Sequence, residues 1–340
     1  MLSKRFAILL LPAFCLLLSC NNAPTLKTKD ANSISVTDFR GKEVNLDHPA
    51  KRIVCLIESA LSGIYMLNTE DKVVGISSNV YSEDVFRYYA SMDKRIENKS
   101  IPAPGNWDFA NIESVIALNP DLVIIWANQT ESIESIEGKG IPVYGVMLKS
   151  LNDVYKEISD LGTLTAKTTR ADSIISFTKN EISCCQYVIS EKPAIKSIYF
   201  SWVQGLLETS GQNSMVNELI ELSGCKNVCT SPDEHITINK EKLIEWDPDI
   251  IVMWCNSRIN SDNIYEMKEL ARVKAVRNRK VFQIPSSFLC DLWTLKFQYA
   301  VKLLSVWANP DKLSDLKLKE EKAKILKGLY GGKAIKLANE

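Results

Sequence analysis

The chain carries the stretch NIESVIALNPDLVIIWAN at residues 111–128 and repeats its pattern as NKEKLIEWDPDIIVMWCN at residues 239–256. Aligned without gaps, the two copies share seven identical residues. Most of the remaining pairs exchange one apolar residue for another. An internal repeat of this kind indicates that the chain is built from two related units.

Each copy predicts a short helix followed by a buried parallel strand. The opening asparagine can accept hydrogen bonds from free N–H groups at the helix start, and the proline ends the helix. The runs LVIIW and IIVMW are apolar throughout, which is typical of parallel strands covered on both faces. Trp126 and Trp254 end these strands, where open α/β sheets bind ligands. We therefore expect both residues, and Asn256 after the second, to approach a ligand cleft, although Trp254 could belong to the core instead.

The surrounding sequence alternates strands and helices on both sides of a long helical segment. This alternation predicts an N-terminal α/β lobe at 34–150 and a second lobe at 193–310. Residues 151–192 predict a short helix and then a long connecting helix. We expect residues 80–106 to be irregular and the lysine-rich tail 311–340 to be helical and exposed. The predicted fold class is α/β, with two Rossmann-like lobes of mostly parallel sheets, a single long α-helix joining them and a ligand cleft between them.

The N-terminus reads as an export signal. Lys4 and Arg5 precede the apolar run FAILLLPAFCLLLSC, which has the length of a signal-peptide core. Its end resembles a bacterial lipoprotein signal, so residues 1–20 are predicted to be the signal and Cys20 the acylated residue. An ordinary secretion signal with a chance cysteine is the alternative. Residues 21–33 then form a flexible tether, and the protein is expected outside the cytoplasm, lipid-anchored to a bacterial membrane.

Composition excludes several classes of function. The chain has 41 basic and 41 acidic residues, so the basic excess of nucleic-acid-binding proteins is missing. It has two histidines, His48 and His235, which are too few for a direct zinc or manganese carrier. No G-x-S-x-G, P-loop or G-x-G-x-x-G motif is present. We predict no catalytic residues, no resident metal and no cofactor.

The cysteines leave one question open. Seven of them follow Cys20, several in apolar runs, which favours buried free thiols. An exported protein can nevertheless form disulfides, and Cys225 and Cys229 are candidates for a pair.

Two motifs carry a resemblance to a known family. PAKRIV at residues 49–54 and NPDLVI at residues 119–124, within two α/β lobes joined by a long helix, resemble the class III substrate-binding proteins of ABC importers. The resemblance covers nearly all of residues 34–310. Members of this family carry vitamin B12, iron siderophores or haem. It implies an ABC permease with its ATPase subunits as partner, and a metal chelate as ligand.

The resemblance also implies how the protein would dock. In the family, one surface glutamate from each lobe contacts arginines of the permease, and the matching positions are Glu113 and Glu241. Their equivalent places in the two repeat copies suit docking across a pseudo-twofold axis. The simpler interpretation is that both stabilise helix N-termini, with about 0.3–1 kcal/mol each.

Aromatic residues near predicted strand ends form the candidate ligand site. Trp107 and Trp126 match tryptophans that line the pocket of B12-binding relatives, and His235 takes the place of Trp107 in the second repeat. Flat aromatic faces can hold a bulky, partly apolar ligand. The predicted ligand-binding residues are Tyr81, Trp107, Trp126, Trp202, Glu208, His235, Trp254, Phe288, Asp291 and Trp293.

The charges of this set narrow the ligand class. The pocket of B12-binding relatives has an acid–arginine pair in the segment matching 285–296, but Leu292 stands at the arginine position. The set contains no arginine, which disfavours anionic catecholates and favours a hydroxamate-like ferric siderophore or a corrinoid such as cobalamin. Haem is an alternative if His235 or Tyr81 ligates iron. A tetrapyrrole chelatase-like enzyme and a lipid-anchored sensor are the alternatives from other classes.

Overall fold

The computed structural model describes residues 34–82, 84–189, 195–202, 205–255, 259–313 and 318–337. The predicted signal at 1–20, the acylation site Cys20 and the tether at 21–33 lie outside these ranges, and so does Asn256. Among the helices of the described residues, none is both long enough and apolar enough to cross a membrane.

The first half of the chain forms a four-stranded parallel sheet with helices around it. The strands of this half of the chain are β1 (Ile34–Thr37), β2 (Glu43–Leu46), β3 (Ile53–Cys55), β4 (Val73–Ile76), β5 (Leu122–Trp126) and β6 (Val143–Val146). Its helices are α1 (Glu58–Met66), α2 (Asn79–Ser82), α3 (Phe86–Met92), α4 (Lys94–Glu97), α5 (Ile112–Ala117) and α6 (Thr130–Glu137). The parallel order is β4-β3-β5-β6, and β1 and β2 form the expected antiparallel hairpin.

The connecting segment contains two helices, α7 (Leu151–Leu164) and α8 (Thr168–Ile189). Ser150 and Asp153 form a capping box at the start of α7. The second of these helices has 22 residues and is the long helix that the sequence predicts.

The second half repeats the first architecture. Its strands are β7 (Ser197–Ser201), β8 (Glu208–Thr209), β9 (Lys226–Asn227), β10 (Ile236–Thr237), β11 (Ile250–Met253) and β12 (Val281–Gln283). Its helices are α9 (Met215–Leu222), α10 (Lys240–Trp246), α11 (Ser261–Glu266), α12 (Lys274–Arg277), α13 (Phe297–Ala308), α14 (Pro310–Leu313), α15 (Leu318–Tyr330) and α16 (Ala334–Leu337). In the second sheet the parallel order is β12-β11-β7-β9, so equivalent strands have the same neighbours as in the first sheet. This order confirms the predicted α/β class with mostly parallel sheets.

The repeated stretch folds alike in both halves. Asn111 and Asn239 accept hydrogen bonds from the backbone N–H groups three residues later, at 2.9 and 2.8 Å, as predicted for N-caps. The residues before the two prolines, Asn119 and Asp247, both adopt left-handed backbone with φ of 47° and 42°. Because asparagine and aspartate tolerate this conformation better than most residues, they help to end each helix before its strand.

The equivalent aspartates fasten neighbouring strands. Asp121 accepts from the backbone N–H groups of Lys51 and Arg52 at 2.8 and 2.9 Å. Asp249 accepts from the backbone N–H and the hydroxyl of Ser197, both at 2.9 Å. Each aspartate therefore ties the start of one central strand to the start of the other, which fixes the register of both sheets.

One expectation about local structure is wrong. Residues 80–106 are not irregular, because they contain most of α2 and all of α3 and α4. This segment is folded against the core through Tyr88 and Tyr89, which are almost fully buried. The cysteines of the described residues are free, and all of them except Cys184 are buried, as the sequence favoured; the alternative pairing of Cys225 with Cys229 is absent.

The C-terminal segment is helical, as predicted, but it is not exposed. Leu326, Leu329 and Tyr330 of α15 are buried in the same core as the first lobe. The Tyr330 hydroxyl lies 2.7 Å from the Ser62 hydroxyl in α1, and Arg170 donates to the Leu329 carbonyl at 2.7 Å. Lys319, Lys324 and Lys327 are exposed on the same helix as this buried apolar stripe, so composition alone suggested an exposed helix.

Candidate functional site

A cavity of about 530 Å³ lies where the carboxyl ends of the two sheets face each other. Its wall comes from the loops that follow β3, β11 and β12, from the end of β5 and from the segments before α3 and α5. The lining residues are Ile57, Glu58, Ser59, Val85, Trp107, Trp126, Trp254, Ser287, Asp291 and Trp293. Since both lobes contribute, a ligand here would contact the two halves at once.

Four tryptophans dominate this wall, two from each lobe. Trp126 ends β5, and Trp254 follows β11 at the equivalent place. The second lobe supports its pair from behind, because Trp202 lies 5.4 Å from Trp254 and 6.2 Å from Trp293 between ring centroids. The Trp202 indole N–H donates to the Ser210 hydroxyl at 2.7 Å, which holds this inner ring in place. The cavity therefore presents flat aromatic faces, and the two tryptophans of the second lobe pack against a ring that a hydrogen bond holds in place.

Five of the ten predicted ligand residues line this cavity. They are Trp107, Trp126, Trp254, Asp291 and Trp293. Trp202 lies directly behind two of them, and the His235 ring packs 5.6 Å from Trp202. The cavity thus gathers residues that lie far apart along the chain.

The other three predicted residues lie elsewhere. The Tyr81 hydroxyl donates to the Ile101 carbonyl at 2.8 Å. Phe288 is fully buried and stacks on Tyr88 at 4.3 Å between centroids. Glu208 lies in the short strand β8, with one carboxylate oxygen buried. The stacking of Phe288 on Tyr88 joins the segment after β12 to α3, so the two halves meet beneath the cavity.

Sequence reasoning missed Glu58 and Ser59 on the cavity wall. Both follow β3 directly, at the first turn of α1. The rule that located the tryptophans, proximity to a strand end, applies equally to these residues. They carry no aromatic or histidine signal, so they did not stand out in the sequence.

A buried lysine behind the wall was also missed. The Lys296 ammonium is fully buried, 3.9 Å from the Asp291 carboxylate and 3.6 Å above the Phe288 ring. It makes no hydrogen bond to any residue of the described ranges. Burial lowers the pKa of Lys296 and raises the pKa of Asp291, while their mutual attraction opposes both shifts. This pair occupies the segment in which the resemblance led us to look for an arginine.

The charges on the cavity wall are acidic. Glu58 and Asp291 are its charged side chains, and no lysine, arginine or histidine of the described residues lines it. The same residues contain no group of three or more His, Cys, Asp or Glu side chains that could hold a metal ion. The Glu58 carboxylate can accept hydrogen bonds from a ligand and opposes an anion, whereas the charge of Asp291 is balanced by the buried Lys296 ammonium 3.9 Å away.

Glu157 is a buried acid beneath the cavity floor. One oxygen of its carboxyl group accepts from the Ser59 hydroxyl at 3.2 Å, and the second oxygen has no partner among the described residues. Burial raises the pKa of Glu157 to about 8 from an ordinary value of 4.5. The folded chain thus holds a proton that the unfolded chain releases.

This titration predicts a pH dependence of stability. As pH rises from about 5 to about 8, the unfolded state alone loses the proton, so the free energy of unfolding of the wild type falls. Glu157→Gln removes this effect. We expect the variant to gain at least about 2 kcal/mol relative to wild type between these pH values, measured by urea unfolding. A difference that stays constant with pH would contradict the buried, protonated carboxyl.

The two candidate docking glutamates lie on the surface. Glu113 and Glu241 are both exposed, and each belongs to the first turn of its helix, α5 or α10. Ile244, on the same helix as Glu241, is an exposed apolar residue. These helices run into β5 and β11, so the glutamates and the cavity tryptophans lie at opposite ends of one repeated unit.

Comparisons with known proteins agree with this architecture. The family model described as periplasmic binding protein matches residues 53–288. An uncharacterised ABC transporter substrate-binding lipoprotein of Bacillus subtilis is 24% identical, covering 81% of this chain and 87% of the relative. A vitamin B12-binding protein of Pectobacterium carotovorum is 21% identical, covering 60% of this chain and 71% of the relative.

A solved structure of a molybdate-binding protein has the same fold. The molybdate periplasmic binding protein of Haemophilus influenzae, bound to molybdate, superposes with a TM-score of 0.74 at 19% identity. The match covers 87% of this chain and 97% of that protein. At this identity the likeness concerns the fold, so the ligand has to be argued from the residues of the cavity.

Proposed function

Because the chain belongs to the periplasmic binding protein family, we propose that it captures a bulky metal chelate outside the cytoplasm and delivers it to an ABC permease. The observation that carries this proposal is the cavity between the sheets, with two tryptophans from each lobe on its wall. A carrier needs a site that both lobes share and an exposed surface for docking. The proposed role is transport, without catalysis.

The favoured ligand is a chelate without net negative charge. Corrinoids such as cobalamin and hydroxamate-like ferric siderophores combine a broad, partly apolar body with amide and hydroxyl groups. The flat tryptophan faces can pack on the apolar body of such a chelate, while the carboxyl groups of Glu58 and Asp291 can accept hydrogen bonds from its amide and hydroxyl groups. The relative that is named as a vitamin B12-binding protein supports the corrinoid option.

Haem is the weaker option. The Tyr81 hydroxyl is engaged by the Ile101 carbonyl, and neither Tyr81 nor His235 belongs to the cavity wall. A haem iron held by either residue requires a rearrangement of the segments that carry them.

Charge selectivity tests the proposed ligand class. The unlipidated chain should be titrated, with tryptophan fluorescence as readout, against cyanocobalamin and ferrichrome as uncharged chelates. Ferric enterobactin and molybdate serve as anions. We expect quenching by at least one uncharged chelate and binding of the anions weaker by about tenfold, because the Glu58 carboxylate opposes them while Lys296 balances the charge of Asp291. Preferential binding of an anion would overturn the ligand class, and silence toward the whole panel would overturn the proposed function.

Permease docking has its own test. Replacing Glu113 and Glu241 together with alanine should lower chelate uptake into cells at least about tenfold, because docking loses two charge-assisted contacts. Chelate affinity of the purified variant should equal that of wild type.

A matched control removes the same charge elsewhere. Glu134 and Glu245 are exposed residues of α6 and α10, one in each lobe. The Glu134→Ala/Glu245→Ala variant should transport normally. If chelate uptake is the same with both double variants, Glu113 and Glu241 only stabilise their helices and do not dock the permease.

Membrane attachment through lipid on Cys20 completes the proposal. The apolar run before Cys20 and the polar segment after it support an acylated cysteine. The Bacillus subtilis relative, which is named as a lipoprotein, is consistent with this attachment. Cys20→Ala should release the protein from the membrane fraction.

A further inference from the structure

A buried cation lies behind the wall of the cavity between the sheets. Lys296 immediately precedes α13, and its side chain is fully buried. Its ammonium lies 3.6 Å above the Phe288 ring and 3.9 Å from the Asp291 carboxylate. In the part of the chain that the structure describes, this ammonium has no hydrogen-bond partner. The aromatic face and the nearby negative charge therefore define its position.

An ammonium removed from water destabilises a protein unless opposite charge lies close to it. Two carboxyl groups supply that charge here, and both line the cavity. Asp291 lies 3.9 Å away, and Glu58 also attracts the ammonium. An apolar side chain of similar size would fill the same space without this cost. Packing alone therefore does not explain a lysine at this position, whereas its charge behind two acids of the cavity wall does.

Asp291 is the group through which this charge can act on a ligand. Its side chain is 13% exposed and belongs to the cavity wall. One carboxyl oxygen accepts from the backbone N–H of Trp293 at 3.0 Å, and the other faces Lys296. Burial raises the pKa of Asp291, and the attraction of Lys296 opposes that rise. Without the lysine, this carboxyl group would take up a proton at a higher pH.

We propose that Lys296 is a positioning residue of the ligand site, whose ammonium keeps Asp291 ionised and oriented as a hydrogen-bond acceptor for an uncharged ligand. The pair carries no net charge, so the wall offers a charge-assisted acceptor without a negative charge that the ligand would have to balance. The ligand groups that fit are the N–H of an amide and the O–H of a hydroxyl. Lys296 does not line the cavity and acts only through Asp291. This inference rests on the proposed function and deepens it.

The other titratable groups around the pair leave a pH range in which it can be tested. They are Glu58, Tyr89, Glu157, Cys255, Cys290 and Tyr330. Burial raises the pKa values of the two thiols and the two phenols, so these four groups stay uncharged at neutral pH. Glu157 keeps its proton below its pKa of about 8. Glu58 is common to all the variants below, so their differences between about pH 5.5 and about pH 7 report on the Asp291–Lys296 pair.

The charge of Asp291 can be measured without a ligand. In protein labelled with carbon-13 aspartate, the carboxyl resonance that disappears in Asp291→Asn reports the protonation of this residue by nuclear magnetic resonance. We expect Asp291 of the Lys296→Met variant to take up its proton at least about one pH unit above wild type, because the counterion is gone. Lys296→Arg, which restores the positive charge, should titrate close to wild type.

Ligand binding gives the second readout. Isothermal titration calorimetry with cyanocobalamin and ferrichrome measures affinity at about pH 5.5 and about pH 7. An uncharged ligand that covers Asp291 favours its protonated form once Lys296 no longer balances the charge, so binding becomes linked to proton uptake. The affinity of Lys296→Met should therefore fall with rising pH by at least about threefold more than that of wild type. The Lys296→Met/Asp291→Asn variant, which lacks the titrating group, should return to the wild-type profile.

A second buried lysine of α13 provides the matched control. The Lys302 ammonium lies 2.6 Å from Glu181 and outside the cavity lining, and Lys324 also pairs with Glu181 at 2.7 Å. Lys302→Met should leave the Asp291 titration and the pH profile of binding unchanged. Thermal unfolding identifies a variant that does not fold. If Lys296→Met fails to fold, Lys296→Gln, which is neutral with a polar tip, takes its place.

Three outcomes would overturn the inference. Equal titration of Asp291 in wild type and in the folded Lys296→Met variant shows that Lys296 does not control this carboxyl group. A changed titration with identical pH profiles of chelate binding shows that the pair stabilises the fold alone. Binding of neither chelate also overturns the inference, while a fluorescence response of the same sample to another member of the panel would leave the transport function standing.

Discussion

Trp254→Ala is expected to weaken chelate binding at least about 30-fold, the effect of removing a central aromatic contact of about 2 kcal/mol. Trp254 lies on the cavity wall and is supported by Trp202 and by Phe200, whose ring centroid is 6.3 Å away. Removing its indole takes away one of the four flat faces and one of the aromatic neighbours of Trp202. Isothermal titration calorimetry with the chelate that binds best measures the loss.

A second tryptophan in the same repeated stretch serves as control. Trp246 ends α10 and packs on Tyr199 at 6.2 Å, away from the cavity wall. Trp246→Ala should leave the affinity within about twofold of wild type, because ligand contacts stay the same. Circular dichroism and thermal unfolding identify any loss of folding in either variant. Equal affinity of folded Trp254→Ala and wild type would remove Trp254 from the site.

Leu329→Ala is expected to destabilise the protein by about 2–5 kcal/mol, as large-to-small changes in a packed core do. Leu329 is fully buried in α15, among residues of the first lobe. Its helix is further tied down by the hydrogen bond of Tyr330 to Ser62 and by that of Arg170 to the Leu329 carbonyl. Urea unfolding measures the change in the free energy of unfolding.

The same helix supplies the control. Lys327 is exposed two residues earlier, and Lys327→Ala should change the free energy of unfolding by less than about 0.5 kcal/mol. If Leu329→Ala is as mild as Lys327→Ala, the C-terminal segment does not stabilise the fold, contrary to the packing described above.

The repeated stretch made the fold predictable from the sequence. Its apolar strands, its N-cap asparagines and its prolines each specify local structure, and two copies specify two lobes. The long helix α8 was predictable because no glycine or proline interrupts it. The predicted family membership and the α/β class are both confirmed.

The parts that the sequence did not predict depend on tertiary contacts. Ile325, Leu326 and Leu329 form an apolar stripe on α15, but nothing in that stripe says that it packs on the first lobe. Lysine is usually a surface residue, so the sequence did not indicate that Lys296 is buried. Its burial beside Asp291 arises only when α13 packs against the strand-end loops. Which residues become neighbours in these places depends on how the whole chain folds.

The exchange of Trp107 for His235 between the repeats has a structural counterpart. Trp107 lines the cavity and is 41% exposed, whereas His235 packs against Trp202 behind the opposite wall. The two lobes therefore present unequal surfaces to the ligand.

A crystal structure of the protein with its tightest-binding uncharged chelate would show where the ligand binds. The chelate is expected to lie between the tryptophans of the first lobe, Trp107 and Trp126, and those of the second, Trp254 and Trp293, within reach of Asp291. A chelate bound instead in another groove, such as the one that Tyr155 and Lys179 help to line, would contradict it.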